Sequence, residues 1–442
     1  MEQLIPAVGS VLPNPNGEIP RDRNISEPGS TDDQHSFRVG YDLEHRFSDN
    51  WQLHNTFGAS WARRDRDFVY STALAADDRT LSRVYALGGD DARFFNVDTY
   101  LVGKFATGSI QHQLVAGFNL NRSESDIKIT NRQAASLDVF NPVYGQPFGA
   151  FVSSYNAYNS TDALGVYVQD QINLAENLKL LVGVRFDTDN QTSEDRDANT
   201  KQNQSDNAFS PRVGIVYQPI QPISLYASYS RAFTPNNGTS FDGSVFQPER
   251  GTQYEVGIKA DLNARLSATL AFYYLTRSNV LTTDLVNPDF SIQTGEQRSR
   301  GIELNIGGEI LPGWNLIGGY AYTNAEITKD NTYAVGNLLN NIPRNSFNIW
   351  TTYEIQSGGL KGLGFGTGLF YVGEREGDLA NTFELPSYFR TDATIFYKRD
   401  RFRAAINFKN LFNVDYFESA TNRVNVFPGE PFLVQGTISW QL

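Results

Sequence analysis

Along most of the chain, apolar and polar residues alternate with a period of two. The last stretch shows the pattern: one face carries Phe432, Val434, Gly436, Ile438, Trp440 and Leu442, and the other carries Leu433, Gln435, Thr437, Ser439 and Gln441. A period of two with one apolar and one polar face predicts a β-strand between unlike environments. A water-soluble sheet produces this pattern, and so does a barrel strand between lipid and a wet lumen.

The arrangement of these segments favours the membrane barrel. About seventeen segments, each about ten residues long, are joined alternately by short turns and by long polar stretches. For example, segments 36–47 and 51–63 meet in a short turn, and a long polar loop is predicted over 64–93. All short turns therefore fall at one end of the sheet, as the periplasmic turns of outer-membrane barrels do. The predicted fold class is all-β, a transmembrane antiparallel β-barrel of the outer-membrane type.

The composition agrees with this prediction and excludes several other classes. The 442 residues carry a formal net charge of -12, contain no Cys, and have no apolar run long enough for a transmembrane helix. The mean hydropathy is -0.40, which suits a barrel because only alternate residues face lipid. The absence of Cys excludes disulfides and thiolate metal sites, and the acidic balance disfavours nucleic-acid binding.

The odd number of strands presents a difficulty for closure. If 36–47 is the first strand, it runs in the same direction as the last one, and an antiparallel ring needs an even number of strands. Unpaired strand edges are costly in hydrocarbon. Either one strand has escaped notice, or the N-terminal part of the barrel lies outside this sequence.

Several motifs resemble those of TonB-dependent outer-membrane siderophore receptors. The motifs are Pro248–Gly251 with Tyr254–Lys259, Ser299–Glu303, Leu385–Ala393, Asn407–Asn413 with Tyr416, and Pro428–Pro431. The opening stretch Leu12–Pro20 resembles an outer loop of the ferrichrome-type branch. The resemblance covers nearly the whole chain.

The resemblance implies the following organisation and function. Receptors of this family are barrels of about 22 strands with a plugged lumen, so the chain is expected to be an incomplete barrel lacking the plug and about five strands. Residues 1–34 are expected to resemble an extracellular loop, and residues 35–442 to form the C-terminal part of the barrel.

The implied function is uptake of a ferric siderophore across the cell outer membrane. The chain is expected to contact outer-membrane lipid and to be neither an enzyme nor a cofactor-binding protein. Energy would come from TonB–ExbB–ExbD acting on a plug that this chain does not contain. The alternative is a passive porin-like barrel or a non-functional remnant of a receptor gene.

Four aromatic residues are the candidate ligand contacts. In the related receptors, aromatic and Arg side chains on outer loops contact siderophores, which offer apolar arms and acceptor oxygens. Here Phe68, Tyr70 and Tyr85 follow the strand 51–63, with two Arg residues beside them, and Phe427 lies in the last loop. The alternative role for these aromatic residues is packing of the loops against each other or a position at the membrane interface.

Two other sets of residues suggest weaker hypotheses. Gly362, Gly364, Gly366 and Gly368 share one face of a strand, which predicts a smooth lumen wall that a plug approaches closely; no helix follows to receive a phosphate. An acidic stretch supplies oxygen ligands of the kind that Ca²⁺ binds, but without a known loop spacing, so a solvated face is favoured. Its members are Asp187, Asp189, Glu194, Asp195 and Asp197.

Overall fold

The computed structural model describes residues 4–287 and 290–441. The alternating segments form β-strands, and among these residues no helix has the length and apolar character needed to cross a membrane. The strands are β1 (Thr31–Ser48), β2 (Trp51–Leu74), β3 (Thr80–Thr107), β4 (Ile110–Asp138), β5 (Phe151–Ala175), β6 (Leu178–Asp195), β7 (Thr200–Ile220), β8 (Ile223–Thr234), β9 (Glu249–Asn263), β10 (Leu266–Thr283), β11 (Ser291–Leu311), β12 (Trp314–Lys329), β13 (Asn345–Glu354), β14 (Leu363–Val372), β15 (Arg375–Glu376), β16 (Glu384–Leu385), β17 (Tyr388–Arg399), β18 (Phe402–Lys409), β19 (Phe417–Asn422), β20 (Asn425–Pro428) and β21 (Leu433–Trp440).

Seventeen of these strands form one antiparallel meander, in which each strand pairs with the next along the chain. The pairs β15–β16 and β19–β20 form separate small hairpins, so β14 pairs with β17 and β18 pairs with β21. The register places like beside like: Val166 lies opposite Phe186, and Tyr167 lies opposite Arg185. Because the period of two is kept across neighbouring strands, one face of the sheet is continuously apolar. The predicted fold class and strand count are confirmed.

The strands are longer than the sequence predicts, and the predicted loop over 64–93 is wrong. Strands β2 and β3 continue through this region as a hairpin that turns at residues 75–79. This extension mixes charged residues with apolar ones such as Val69 and Tyr85 and shows no regular apolar period, yet ladder hydrogen bonds and cross-strand ion pairs such as Arg66–Asp90 (2.7 Å) hold it together. The regular alternation predicts that each strand ends where its apolar face ends. In the structure the hydrogen-bonded strands continue beyond that point.

The sheet is not closed. Among the described residues, β1 pairs only with β2 and β21 pairs only with β18. An odd number of antiparallel strands makes these two edges run in the same direction, as the sequence predicts. Their apolar side chains are exposed, to 64% at Phe37 and 78% at Ile438.

The buried core lies at the long-loop end of the sheet. Residues 4–30, which we call the strap, cross this end from the β19–β20 hairpin to the start of β1. Ile5 and Val426 exchange backbone hydrogen bonds of 3.0 and 2.9 Å, and the Asn14 side chain donates to the Asp78 carbonyl at 2.7 Å. One apolar cluster at this end consists of Ile5, Ile19, Ile25, Leu81, Leu137 and Val139. A second consists of Ala7, Phe383, Leu385, Ala420 and Val426. The strap therefore joins parts of the chain that are more than three hundred residues apart in sequence.

The glycines of β14 do not form a bare wall. A Cβ atom at Gly364 would lie 2.2 Å from the Phe396 ring, and one at Gly368 would lie 2.3 Å from the Trp350 ring. The aromatic rings of the flanking strands β17 and β13 therefore cover these glycines. At Gly364 and Gly368 the space that the glycine leaves open is filled by a ring of a cross-strand neighbour, and the close approach of a plug to this strand stays a prediction.

Candidate ligand-binding site

A cavity of about 610 Å³ lies at the long-loop end, where three parts of the chain meet. Strand β2 contributes Arg64, Phe68, Val69 and Tyr70, β20 contributes Phe427, and the remaining lining residues belong to the strap and the start of β1. This volume is typical of sites for small molecules. The two aromatic side chains of β2 and Phe427 of the last loop share this cavity with a wall that the strap forms.

The spacing along β2 explains why three of its four lining residues lie side by side. Arg64, Phe68 and Tyr70 are separated by even numbers of positions, so their side chains lie on the same face of the strand. The ring centroids of Phe68 and Tyr70 are 6.0 Å apart, with the ring planes inclined by 54°. Both rings are half-buried, and together they offer an aromatic surface to a ligand.

Each Arg beside these rings is already paired with a carboxylate. The Arg64 Nε donates to Asp32 Oδ1 at 2.6 Å, and this hydrogen bond lowers the pKa of Asp32 below its ordinary value. Arg66 forms its ion pair with Asp90. The side chain of Arg64 keeps 40% of its surface exposed, so it remains accessible from the cavity.

The position of Phe427 depends on the motifs at the end of the chain. The backbone N–H of Asn410 donates to Asp392 Oδ1 at 2.9 Å. The side chain of Asn410 is buried and bonds to the N–H of Val414 (2.8 Å), to its carbonyl (2.9 Å) and to the carbonyl of Glu430 (3.0 Å). These bonds fix both ends of the loop that carries the β19–β20 hairpin.

A buried Arg fixes the same loop from its other side. The Arg375 guanidinium lies 5.5 Å from the Tyr388 ring and donates to the backbone carbonyls of Phe417 and Glu418. Burial lowers the pKa of Arg375. Tyr388 in turn packs on Tyr416, with ring centroids 4.4 Å apart. The motif residues thus hold the last loop over the cavity.

Three of the four predicted aromatic residues line the cavity, and the fourth does not. Tyr85 stacks on Phe148 with ring centroids 3.7 Å apart and planes inclined by only 3°, and 9% of it is exposed. Burial raises the pKa of its hydroxyl. Tyr85 lies on β3 with Val69 and Ala134 around it, in the packing position that the alternative predicts.

Sequence reasoning missed the strap wall of the cavity. Residues 24–30 have no hydrophobic period, so they are predicted only as a loop. The structure shows a built turn: Asn24 Oδ1 accepts from the Ser26 N–H at 2.9 Å, and Ser26 Oγ accepts from the Val69 N–H at 3.1 Å. An Asn two residues before a Ser is a turn signal that the sequence does contain.

Among residues 4–287 and 290–441, no group of three or more His, Asp or Glu side chains is placed to hold a metal ion. Asp187 and Asp189 are buried on β6, whereas Asp195 and Asp197 lie at the exposed β6–β7 turn. The acidic stretch is therefore divided between two environments.

Comparison with known proteins identifies the family. The model of the TonB-dependent receptor-like β-barrel matches residues 5–411. The chain belongs to this family. The resemblance found in the motifs is thereby confirmed, as is the location in the outer membrane; members of the family are receptors and transporters rather than enzymes.

The chain is similar over most of its length to named relatives. It is 36% identical to the metal-pseudopaline receptor CntO of Pseudomonas aeruginosa over 96% of this chain. It is 32% identical to the ferrichrome outer membrane transporter/phage receptor of Escherichia coli K12 over 99% of this chain. In both comparisons the chain spans 62% of the relative's length.

The fold is also shared with solved structures. The siderophore receptor PiuA from Acinetobacter baumannii superimposes with a TM-score of 0.84 at 22% identity, over 100% of this chain and 70% of that chain. The ferric-catecholate import receptor Fiu from E. coli K12 gives a TM-score of 0.84 at 21% identity, over 99% of this chain and 70% of that chain. At these identities the likeness shows the fold alone.

Proposed function

We propose that this chain forms part of the barrel wall and the outer ligand site of a receptor that imports a ferric siderophore across the outer membrane. The observation that carries the proposal is the cavity that brings Phe68, Tyr70 and Phe427 together beside Arg64 at the long-loop end. Named ligands of the relatives include ferrichrome and ferrioxamine B, and both are iron chelates. A cavity with aromatic faces and a cationic donor suits a chelate with apolar arms and acceptor oxygens.

The residues divide the binding between them. The rings of Phe68, Tyr70 and Phe427 pack against the apolar arms of the chelate. The exposed part of the Arg64 guanidinium donates to chelate oxygens, while Asp32 holds the guanidinium in place. No cofactor takes part. Tyr85 packs on Phe148 and stabilises the β2–β3 hairpin without contacting the ligand.

The proposed transport function also involves partners of the barrel. We propose that TonB–ExbB–ExbD acts on a plug within the lumen and that outer-membrane lipid surrounds the apolar face. The division into an outer segment over residues 1–34 and a barrel over residues 35–442 belongs to the same proposal.

Binding assays with aromatic variants test the ligand site. The protein, purified from outer membranes in detergent, is titrated with ferrichrome, ferrioxamine B, ferric pyoverdine and metal-loaded pseudopaline. Truncation of a central aromatic contact costs about 1 to 3 kcal/mol, so Phe68→Ala, Tyr70→Ala and Phe427→Ala are each expected to weaken binding about tenfold or more. The control is Phe151→Ala, because Phe151 is an exposed aromatic residue of β5 that does not line the cavity.

The outcome also separates the receptor from a passive barrel. Unchanged affinity in all three cavity variants would refute the ligand site. Uptake that rises linearly with ligand concentration and does not need TonB would favour the porin-like alternative.

A further inference from the structure

The part of the strap that forms one wall of the cavity is not held by the hydrogen bonds of a β-sheet. Residues 24–30 contain no strand, and this wall supplies Asn24, Ile25, Ser26, Glu27, Gly29 and Ser30 to the cavity. A loop without ladder hydrogen bonds keeps one conformation only where side chains or neighbouring backbone hold it. The atoms that hold the strap therefore decide the shape of the cavity.

Arg83 of β3 makes three of the hydrogen bonds that hold this wall. Its side chain is 0% exposed and donates to the carbonyls of Ile25 (3.1 Å), Ser26 (3.2 Å) and Ala135 (2.9 Å). It also donates to Glu27 Oε1 at 2.7 Å. One guanidinium thus bonds three successive strap residues and anchors them to β4.

Glu27 extends the attachment to the β4–β5 loop. Its second carboxylate oxygen accepts from the Gly145 N–H at 2.8 Å, and the neighbouring Tyr144 hydroxyl donates to the Asn24 carbonyl at 2.7 Å. The Glu27 side chain is only 13% exposed. Removing one partner of a buried ion pair leaves the other charge without compensation, so the attachment is sensitive to a single substitution.

The same wall faces the distant part of the chain that completes the cavity. Ile5, at the other end of the strap, pairs with Val426 next to Phe427, and Ser71 Oγ of β2 donates to Asn425 Oδ1 at 2.9 Å. A strap that moves away from β3 would therefore change the distance between Phe427 and the β2 aromatics.

We propose that Arg83 is the positioning residue of the ligand site. It does not line the cavity, and it acts through the strap, which it holds against β3 as one wall of the cavity that Phe427 and Tyr70 also line. This inference rests on the proposed function for its consequence in binding. The attachment of the strap itself is testable without any ligand.

The test combines amide hydrogen exchange with ligand titration on the purified protein in detergent. Arg83→Met removes the charge and keeps much of the volume, and Arg83→Lys keeps the charge but not the geometry of the guanidinium. Arg93→Met is the matched control, because Arg93 also lies on β3 but is 61% exposed and pairs with Glu124 at 3.8 Å. The probes are ferrichrome, ferrioxamine B, ferric pyoverdine and metal-loaded pseudopaline.

We expect Arg83→Met to speed exchange over residues 19–30 at least tenfold and to weaken binding of the recognised probe at least tenfold. Arg83→Lys is expected to restore part of both losses, since it returns the ion pair with Glu27. Arg93→Met is expected to change neither, and exchange over β6 is expected to stay at the wild-type rate in every variant.

Two results would overturn the inference. In one, Arg83→Met frees the strap but leaves affinity unchanged. In the other, affinity falls while strap exchange stays at the wild-type rate. If the wild-type protein binds none of the probes, the proposed function fails, and with it the positioning role. The exchange measurement then still shows whether Arg83 holds the strap.

Discussion

Replacement of Asn410 tests whether the last loop is held by one buried side chain. Asn410 is 1% exposed, has a positive φ of 47°, and makes three side-chain hydrogen bonds to backbone groups of the loop. Asn410→Ala leaves these three groups, which are only partly buried, without their protein partner. Each such group costs about 1 kcal/mol, the lower end of the cost for a buried group, and the positive φ costs Ala about 1 kcal/mol more than Asn, which tolerates this conformation.

These values give about 4 kcal/mol, which corresponds to a change of about a thousandfold in a local opening equilibrium. The reporter is the amide of Val426, which donates to the Ile5 carbonyl at 2.9 Å and becomes exchangeable when the hairpin detaches. Amide exchange followed by mass spectrometry, under conditions where closing is faster than exchange, measures this equilibrium directly. Asn410→Gly keeps the conformation and loses only the bonds, so we expect a smaller effect, of about a hundredfold.

The control for backbone strain is Asn199→Ala. Asn199 also has a positive φ, of 53°, but lies exposed in the β6–β7 turn, so its replacement is expected to leave Val426 exchange unchanged. Exchange of Val426 within threefold of wild type in Asn410→Ala would show that the loop is held by other contacts.

Two further predictions concern charge and packing. Arg64 lowers the pKa of Asp32 below its ordinary 3.8, so the ion pair contributes stability that is complete above this value and is lost as the pH falls through the lowered pKa. Arg64→Met should remove this acid dependence from amide exchange at the start of β1. An unchanged acid profile in this variant would contradict the role of the pair. Gly368→Val places a side chain where the Trp350 ring lies, with the Cβ 2.3 Å from it, so we expect a loss of about 1 to 3 kcal/mol in thermal unfolding followed by tryptophan fluorescence. Gly436→Val, with nothing within 4 Å of its Cβ, should not shift the midpoint, and equal midpoints for both variants would contradict the packing argument.

The alternation of residues was sufficient to predict the strands that face lipid. Val166 and Phe186 lie opposite each other on the apolar face, and a slip of one residue in this pairing would turn the apolar side chains of the strand to the other face. The same reasoning failed over residues 64–93, where the β2–β3 hairpin mixes charged and apolar residues without a regular period of two. In water, neither face of a strand has to be apolar, so the pattern carries no signal there.

The candidate site was predictable only in part. Phe68 and Tyr70 could be placed together because they are two positions apart on one strand. Tyr85, close to them in sequence, turned out to pack on Phe148, and only the path of the β4–β5 loop decides this. The strap wall and its attachment to Arg83 had no periodic signal at all.

The sequence by itself determined the fold class, the number of strands in the main sheet and the family. These follow from local alternation and from motifs, which are properties of neighbouring positions. Only the tertiary structure decided that residues 4–30 lie between the first hairpin and the last loop, that Arg83 bonds residues 25–27, and that Phe427 lines the same cavity as Tyr70. Those contacts join residues far apart in the chain. They depend on the orientation of the hairpins at the long-loop end of the sheet, and no local sequence pattern predicts this orientation.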